Sequence, residues 1–184
     1  MWLFWSAAAA WAAGEAALFG WTSRGGTRSR DATTTMLTLS VLAGTVAAAV
    51  VAGEAEALAL PGAEWWPEVA GVALLAAGFA LRVWSVRTLG RFFKYRVVVQ
   101  EGHEVVESGP YGRIRHPAYT GMVMCSAGLG LTLGNWLSLL VATLPTLTAF
   151  SLQLLREERP LAAELGPPYR DYMTRTWRLV PHVW

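Results

Sequence analysis

The chain has 184 residues, of which 54% are hydrophobic and only 15% are charged. Ordinary globular domains carry roughly 25% charged residues, and the apolar residues here come in long blocks, so the composition disfavours a water-soluble domain and favours a membrane protein. The single cysteine excludes an intramolecular disulfide, and three scattered histidines lack the spacing of a metal site, so we expect no metal.

Five apolar blocks follow one another along the chain, and we predict that each crosses the membrane. A spanning helix needs about 20 mainly apolar residues. The first block has no basic residue before it, unlike a secretory signal, so we expect it to be retained. The fold class is therefore all-α, a polytopic helix bundle in one domain over residues 1–184. The predicted spans are 2–22, 32–53, 69–88, 117–133 and 136–155.

Two charged residues fall inside the predicted spans. Glu15 is the only charge in the first span, and it faces either a packed interior or the outer third of the bilayer. Arg82 lies towards the end of the third span, where its long aliphatic stem allows the guanidinium to reach the membrane interface.

A polar connector over 90–116 joins the third and fourth spans. Its valine-rich stretches lie on either side of Glu101-Gly102-His103, which is a turn signal. The pattern is compatible with a hairpin over a site and equally with an irregular extended loop.

The basic residues sort to one side of the predicted membrane. All fifteen lie in the 24–30 loop, in the end of the third span with its connector, or in the tail after residue 155. The positive-inside rule then places the N-terminus outside and the C-terminus in the cytoplasm. Because topology accounts for these charges, we predict no nucleic-acid partner.

The densest group of polar, chemically versatile residues runs from Gly109 to Gly121, where the connector enters the fourth span. Pro117 suits the first turn of a helix, where its missing N–H is not needed. His116 then lies just before a helix N-terminus, where backbone donors and the helix dipole favour anions. With two arginines and two tyrosines, this stretch suits a polar ligand that carries a carboxylate or a phosphate.

Two further polar groups lie on the same predicted side of the membrane. Glu157 and Glu158 adjoin arginines where the fifth span ends. One glutamate suits a cationic ligand group, and the other suits pairing with an arginine. The third group, over 169–178, combines tyrosines with arginines.

Several motifs in order resemble the isoprenylcysteine carboxyl methyltransferase family, and the short chain is similar to its prokaryotic members. The motifs are Leu89-Gly90-Arg91-Phe92-Phe93, Gly102-His103, Gly109-Pro110-Tyr111, Arg115-His116-Pro117-Ala118-Tyr119-Thr120-Gly121, Glu157-Glu158, and Gly166 with Tyr169 and Tyr172. The resemblance covers a methyltransferase-like core over 82–181. Residues 1–68 match only in being hydrophobic.

The resemblance implies S-adenosylmethionine as cofactor, held in a cytoplasm-facing pocket enclosed by the connector and the tail. The implied cofactor-binding residues are His103, Val106, Tyr111, His116, Pro117, Tyr119, Glu157, Glu158, Tyr169 and Tyr172.

The family's acceptor is the carboxylate of a prenylated cysteine that enters from the bilayer. We assign catalytic roles to Arg115, Glu158 and Arg178, and from charge alone either arginine suits an acceptor carboxylate. Because prenylated C-terminal cysteines are not an expected bacterial product, the acceptor is alternatively another isoprenoid or lipid with a thiol, carboxyl, hydroxyl or amine. Membrane lipids are the surrounding partners.

Two other functions remain open at this point. Membrane reductases of the sterol-reductase type resemble this family in their C-terminal fold, and the connector arginines would then bind the 2′-phosphate of NADPH. A scaffold or transporter component is the non-catalytic alternative, although transporters more often place polar residues near the bilayer midplane.

Overall fold

The structure, a computed structural model, describes residues 2–22, 41, 43–52, 56–62, 65–90 and 105–184, and its regular structure within these ranges is helical. This agrees with the all-α prediction. Short 3₁₀ turns lie at Glu56–Leu58 and Gly109–Gly112. The helices are α1 (Trp2–Thr22), α2 (Ala43–Ala52), α3 (Trp66–Leu89), α4 (Pro117–Leu131), α5 (Trp136–Glu164) and α6 (Pro167–Arg175).

Two helices in the described ranges, α3 and α5, are long and apolar enough to cross a membrane. The predicted first and fourth spans do form helices, α1 and α4, and α1 has the predicted bounds. The second predicted span is described as a helix only over 43–52. The count of five spans therefore stays a prediction. Most of the valine-rich connector lies outside the described residues, and the part that is described, 105–108, forms no strand.

Glycines let α3 and α4 pack backbone against backbone. A Cβ atom built on Gly71 would lie 2.6 Å from the Gly128 carbonyl oxygen, and one built on Gly78 would lie 2.6 Å from that of Gly121. The two contacts are separated by seven residues along each helix and follow in opposite order, so α3 and α4 run antiparallel along one glycine seam. Small residues permit such close helix contacts in membranes. The seam fixes the position of α4 against α3.

The apolar fifth span and the glutamate pair, Glu157 and Glu158, belong to one continuous helix, α5. Asn135 caps its start, with the side-chain oxygen accepting hydrogen bonds from the Leu137 and Ser138 N–H groups at 2.8 and 3.2 Å. The helix continues past residue 155, the predicted end of the fifth span, and reaches Glu164. Consequently Glu158 belongs to the face of α5 that is buried.

The sequence predicts that the Arg82 guanidinium extends to the membrane interface, but the structure buries it within the protein. Its side chain is only 7% exposed, and its Nε lies 2.6 Å from Oε1 of Glu15 on α1. The reason is that a carboxylate is available within the bundle, which compensates the charge without a path to the interface. Of the two positions considered for Glu15, the structure shows the packed one.

Candidate active site

The polar corner is the name used here for residues 109–119, where a 3₁₀ turn leads into α4. Pro117 is the first residue of α4 and is fully buried, and His116 precedes it at the cap position. The proline ring supplies the fixed backbone angle that a first helical turn requires. The sequence thus turns sharply at His116 and directs its imidazole into the protein, where the side chain is 9% exposed.

Glu158 is the centre of a buried group of charges. Its carboxylate accepts hydrogen bonds from Nε of Arg115 at 2.8 Å and from Nε of Arg178 at 3.0 Å. The side chains of Glu158 and Arg115 are only 5% and 6% exposed. Charge-assisted bonds of this kind are stronger than neutral ones. They hold together three segments that are distant in sequence.

Glu157 has a different set of neighbours. One of its carboxylate oxygens accepts hydrogen bonds from the Tyr119 hydroxyl at 2.5 Å and from the Gln153 amide at 2.8 Å. Its other oxygen lies 3.8 Å from Nδ1 of His116. The structure therefore divides the glutamate pair, with one carboxylate facing arginines and the other facing neutral donors.

His116 lies between the two glutamates. Its Nε2 atom is 3.6 Å from Oε1 of Glu158, which exceeds a normal hydrogen bond. This buried nitrogen has no hydrogen-bond partner within the part of the chain that the structure describes. The imidazole stacks on the ring of Tyr119, with centroids 5.5 Å apart and planes at 4°. A buried ring nitrogen without a protein partner is suited to a polar ligand atom.

Backbone hydrogen bonds attach the C-terminal tail to the polar corner. The Arg115 N–H donates to the Trp177 carbonyl at 2.7 Å, and the His116 N–H donates to the Arg178 carbonyl at 3.1 Å. Arg115 also donates through Nη1 to the carbonyls of Met173, at 3.0 Å, and Thr176. This pairing brings Arg178 to Glu158 and so completes the buried group.

Three tyrosines form neutral walls beside this group. The Tyr172 hydroxyl donates to the Tyr111 carbonyl at 2.8 Å, and the rings of Tyr169 and Tyr172 lie 5.8 Å apart. Burial raises the pKa of all three hydroxyls well above the ordinary value, and for Tyr169 the nearby Glu158 carboxylate raises the pKa further. The tyrosines therefore stay uncharged at neutral pH, and the Tyr172 hydroxyl remains a hydrogen-bond donor.

Most of the site residues chosen from the sequence meet in this region. The half-buried Val106 lies on the segment that leads into the corner, and His103 lies outside the described residues. Arg178 is 30% exposed at its side chain and lies over the Trp184 ring at 5.4 Å. Sequence reasoning missed Gln153, although its place one turn before Glu157 on a helix was a usable signal.

Comparison with known proteins identifies related sequences and a related fold. The phospholipid methyltransferase family model matches residues 66–166. Protein-S-isoprenylcysteine O-methyltransferase B of Arabidopsis thaliana is 30% identical over 70% of this chain and 68% of its own length. The protein-S-isoprenylcysteine O-methyltransferase of Xenopus laevis is 31% identical over 64% of this chain and 42% of its own length.

A solved structure shares the fold. It is the structure of a eukaryotic intramembrane Ras methyltransferase, an isoprenylcysteine carboxyl methyltransferase, with a TM-score of 0.63 and 23% sequence identity. The match covers 84% of this chain and 54% of that chain. The chain thus spans between about two fifths and two thirds of the length of these relatives.

Proposed function

The chain belongs to the isoprenylcysteine carboxyl methyltransferase family, a family of membrane methyltransferases, and from this premise we propose that it transfers the methyl group of S-adenosylmethionine to a lipophilic acceptor. The observation that carries the proposal is the meeting of His116 with Glu157 and Glu158. These residues are far apart in sequence, yet the imidazole nitrogens lie within 3.8 Å of both carboxylates.

The residues present fit such a cofactor. Its amino-acid end carries an ammonium and a carboxylate, and its sulfonium is a further cation. Glu157 faces only neutral donors and the His116 ring among its described contacts, so its carboxylate suits a cationic group. The partnerless Nε2 of His116 suits a polar atom of the same ligand. Bound there, S-adenosylmethionine supplies an already activated methyl group, so the acceptor needs no strong general base.

The chain's own residues then bind, orient and exclude water. Glu158, held by Arg115 and Arg178, keeps the corner and the tail together around the ligand. The buried tyrosine walls limit water near the reacting atoms. Orientation of two reactants is worth up to roughly 7–11 kcal/mol in favourable cases, which makes positioning the main contribution expected of this site.

The topology and the acceptor belong to the same proposal. We infer five spans with the N-terminus outside and the site on the cytoplasmic side, because the basic residues sort that way. An isoprenoid or lipid acceptor enters from the bilayer, and its reacting group meets the polar corner at the membrane interface. The curated relatives are named for isoprenylcysteine, which makes a prenylated thioether with a carboxylate the first acceptor to test.

The proposal is tested by calorimetric titration of the detergent-solubilised protein with S-adenosylhomocysteine, the demethylated product. We expect binding by the unmutated chain and its loss in His116→Ala and Glu158→Ala. Matched controls are His182→Ala and Glu164→Gln, since both side chains are exposed and lie outside the corner; both should bind normally. Absence of binding by the unmutated chain refutes the proposal. Thermal stabilisation by NADPH instead would favour the reductase alternative.

A further inference from the structure

Gln153 on α5 is a half-buried polar residue that belongs to none of the motifs identified in the sequence. Its amide NH₂ group donates to Oε1 of Glu157, one helical turn later, at 2.8 Å. Its carbonyl oxygen is buried and has no hydrogen-bond partner within the part of the chain that the structure describes. Because buried polar atoms in folded proteins are nearly always hydrogen-bonded, this oxygen is suited to a donor from a bound ligand.

The contact with Glu157 fixes the direction of the Gln153 amide. A carboxylate only accepts hydrogen bonds, so it binds the NH₂ group of an amide and not the carbonyl oxygen. Turning the amide over would place two acceptors against each other and would leave the NH₂ group without Glu157 as well. A rearrangement of Gln153 itself therefore does not satisfy the carbonyl oxygen.

Glu157 likewise keeps one oxygen for a ligand. Its Oε1 atom accepts hydrogen bonds from both the Tyr119 hydroxyl and the Gln153 amide. Its Oε2 atom lies 3.8 Å from Nδ1 of His116, which is beyond hydrogen-bond distance. Among the described residues, the arginines at the site pair with Glu158 and not with Glu157. Gln153 and Glu157 thus offer two neighbouring acceptors, one neutral and one charged.

A primary ammonium fits these two acceptors better than a sulfonium does. Either cation neutralises the charge of Glu157. An ammonium carries three N–H donors, whereas a sulfonium has no hydrogen on its sulfur and donates nothing. Only the ammonium therefore satisfies the Gln153 carbonyl together with the Glu157 carboxylate. The partnerless oxygen of Gln153 distinguishes the two cationic groups of the proposed cofactor.

We propose that Gln153 selects for the ammonium of the cofactor's amino-acid end, with its NH₂ group orienting Glu157 and its carbonyl oxygen accepting a hydrogen bond from the ammonium. The inference rests on the proposed function and deepens it, because it names the residue that recognises one end of the ligand. Recognition of one end also sets the direction of the ligand in the site. The amino-acid end then lies against α5, beside Tyr119.

The test compares two probes by calorimetric titration of the detergent-solubilised chain. The probes are S-adenosylhomocysteine and its des-amino analogue, in which a hydrogen atom replaces the amino group. We expect the unmutated chain to bind S-adenosylhomocysteine about tenfold or more tightly than the analogue, equivalent to about 1.4 kcal/mol. In Gln153→Leu the affinity for S-adenosylhomocysteine should fall about fivefold or more, and that for the analogue should stay within about twofold. Because the variant removes an unpaired carbonyl along with one hydrogen bond, its thermal midpoint without ligand should stay close to that of the unmutated chain.

The controls separate this inference from a structural role and from the proposed function. Leu152→Ala, at the neighbouring residue that is 52% exposed, should keep the full preference for S-adenosylhomocysteine. Equal affinity of the unmutated chain for the two probes overturns the inference, as does an undiminished preference in Gln153→Leu. Equal weakening of both probes in that variant indicates a structural role and overturns the inference too. Absence of S-adenosylhomocysteine binding by the unmutated chain instead overturns the proposed function. If Gln153→Leu does not fold, the unbranched and adaptable Gln153→Met replaces it, with the same loss of preference expected.

Discussion

Two groups of ion pairs involve the C-terminal part of the chain, one buried and one exposed. In the first, Glu158 lies between Arg115 and Arg178 at 2.8 and 3.0 Å. In the second, Arg175 lies between Glu107 and Asp171, both at 2.9 Å. The distances are nearly the same, so geometry alone does not rank the two groups.

Burial does rank them. The side chains of Glu158 and Arg115 are 5% and 6% exposed, whereas that of Arg175 is 51% exposed. Removing one partner of a buried pair leaves an uncompensated charge, while exposed pairs contribute little. The comparison therefore indicates that the buried group stabilises the site, whereas the exposed group contributes little to stability. The following predictions test that difference.

The largest effect is expected for Arg115→Gln. The substitution removes one of the two charges that face Glu158 and the side-chain hydrogen bonds that attach the corner to the tail. Loss of one partner of a buried pair costs ~3–5 kcal/mol, so the thermal midpoint should fall sharply and S-adenosylhomocysteine binding should disappear. Arg113→Gln is the matched control because that side chain is exposed two residues earlier. Equal midpoints for the two variants would contradict the assignment.

An intermediate effect is expected for Tyr119→Phe. The ring and its stack on His116 remain, but Glu157 loses the hydroxyl donor at 2.5 Å. A hydrogen bond to a charged group contributes ~1.5–3 kcal/mol, so calorimetry should show S-adenosylhomocysteine affinity reduced about tenfold or more. Combining the substitution with Glu157→Gln should give less than the sum of the two single effects. Full additivity would show that the hydroxyl acts elsewhere.

Much of the helical architecture followed from local sequence. Apolar blocks ended near the observed helix ends at Thr22, Leu89 and Leu131, because apolarity and capping act over short distances. The predicted fifth span ends at residue 155, about two and a half turns before α5 itself ends, because hydropathy falls at Arg156 while helical hydrogen bonding continues to Glu164. Apolarity predicts where a bilayer would end and not where a helix ends.

The sequence predicted which residues form the candidate site, but not which of them contact each other. The residue types around His116 and Glu158 indicated a shared pocket, but their partners did not follow from spacing. The backbone pairing of Arg115 with Trp177 joins residues 62 positions apart, and the Glu15–Arg82 pair joins residues 67 apart. Such contacts depend on how the helices pack, so sequence patterns left both the partner of Glu15 and the backbone acceptors of Arg115 unassigned.

The smallest effect is expected for Arg175→Gln, which removes the centre of the exposed group. Arg175 joins α6 to Glu107 on the connector, so a structural role there would lower the thermal midpoint and weaken S-adenosylhomocysteine binding. Solvent already stabilises all three charges. We therefore expect the S-adenosylhomocysteine affinity to stay within about twofold of that of the unmutated chain, and the thermal midpoint to stay within error of it. Raising the salt concentration should likewise leave the midpoint unchanged, because screening removes only what an exposed pair contributes. A marked fall in the midpoint or in the affinity would mean that the exposed ion pairs of the tail, as well as Glu158, hold the tail against the site. Burial would then no longer distinguish the two groups of ion pairs.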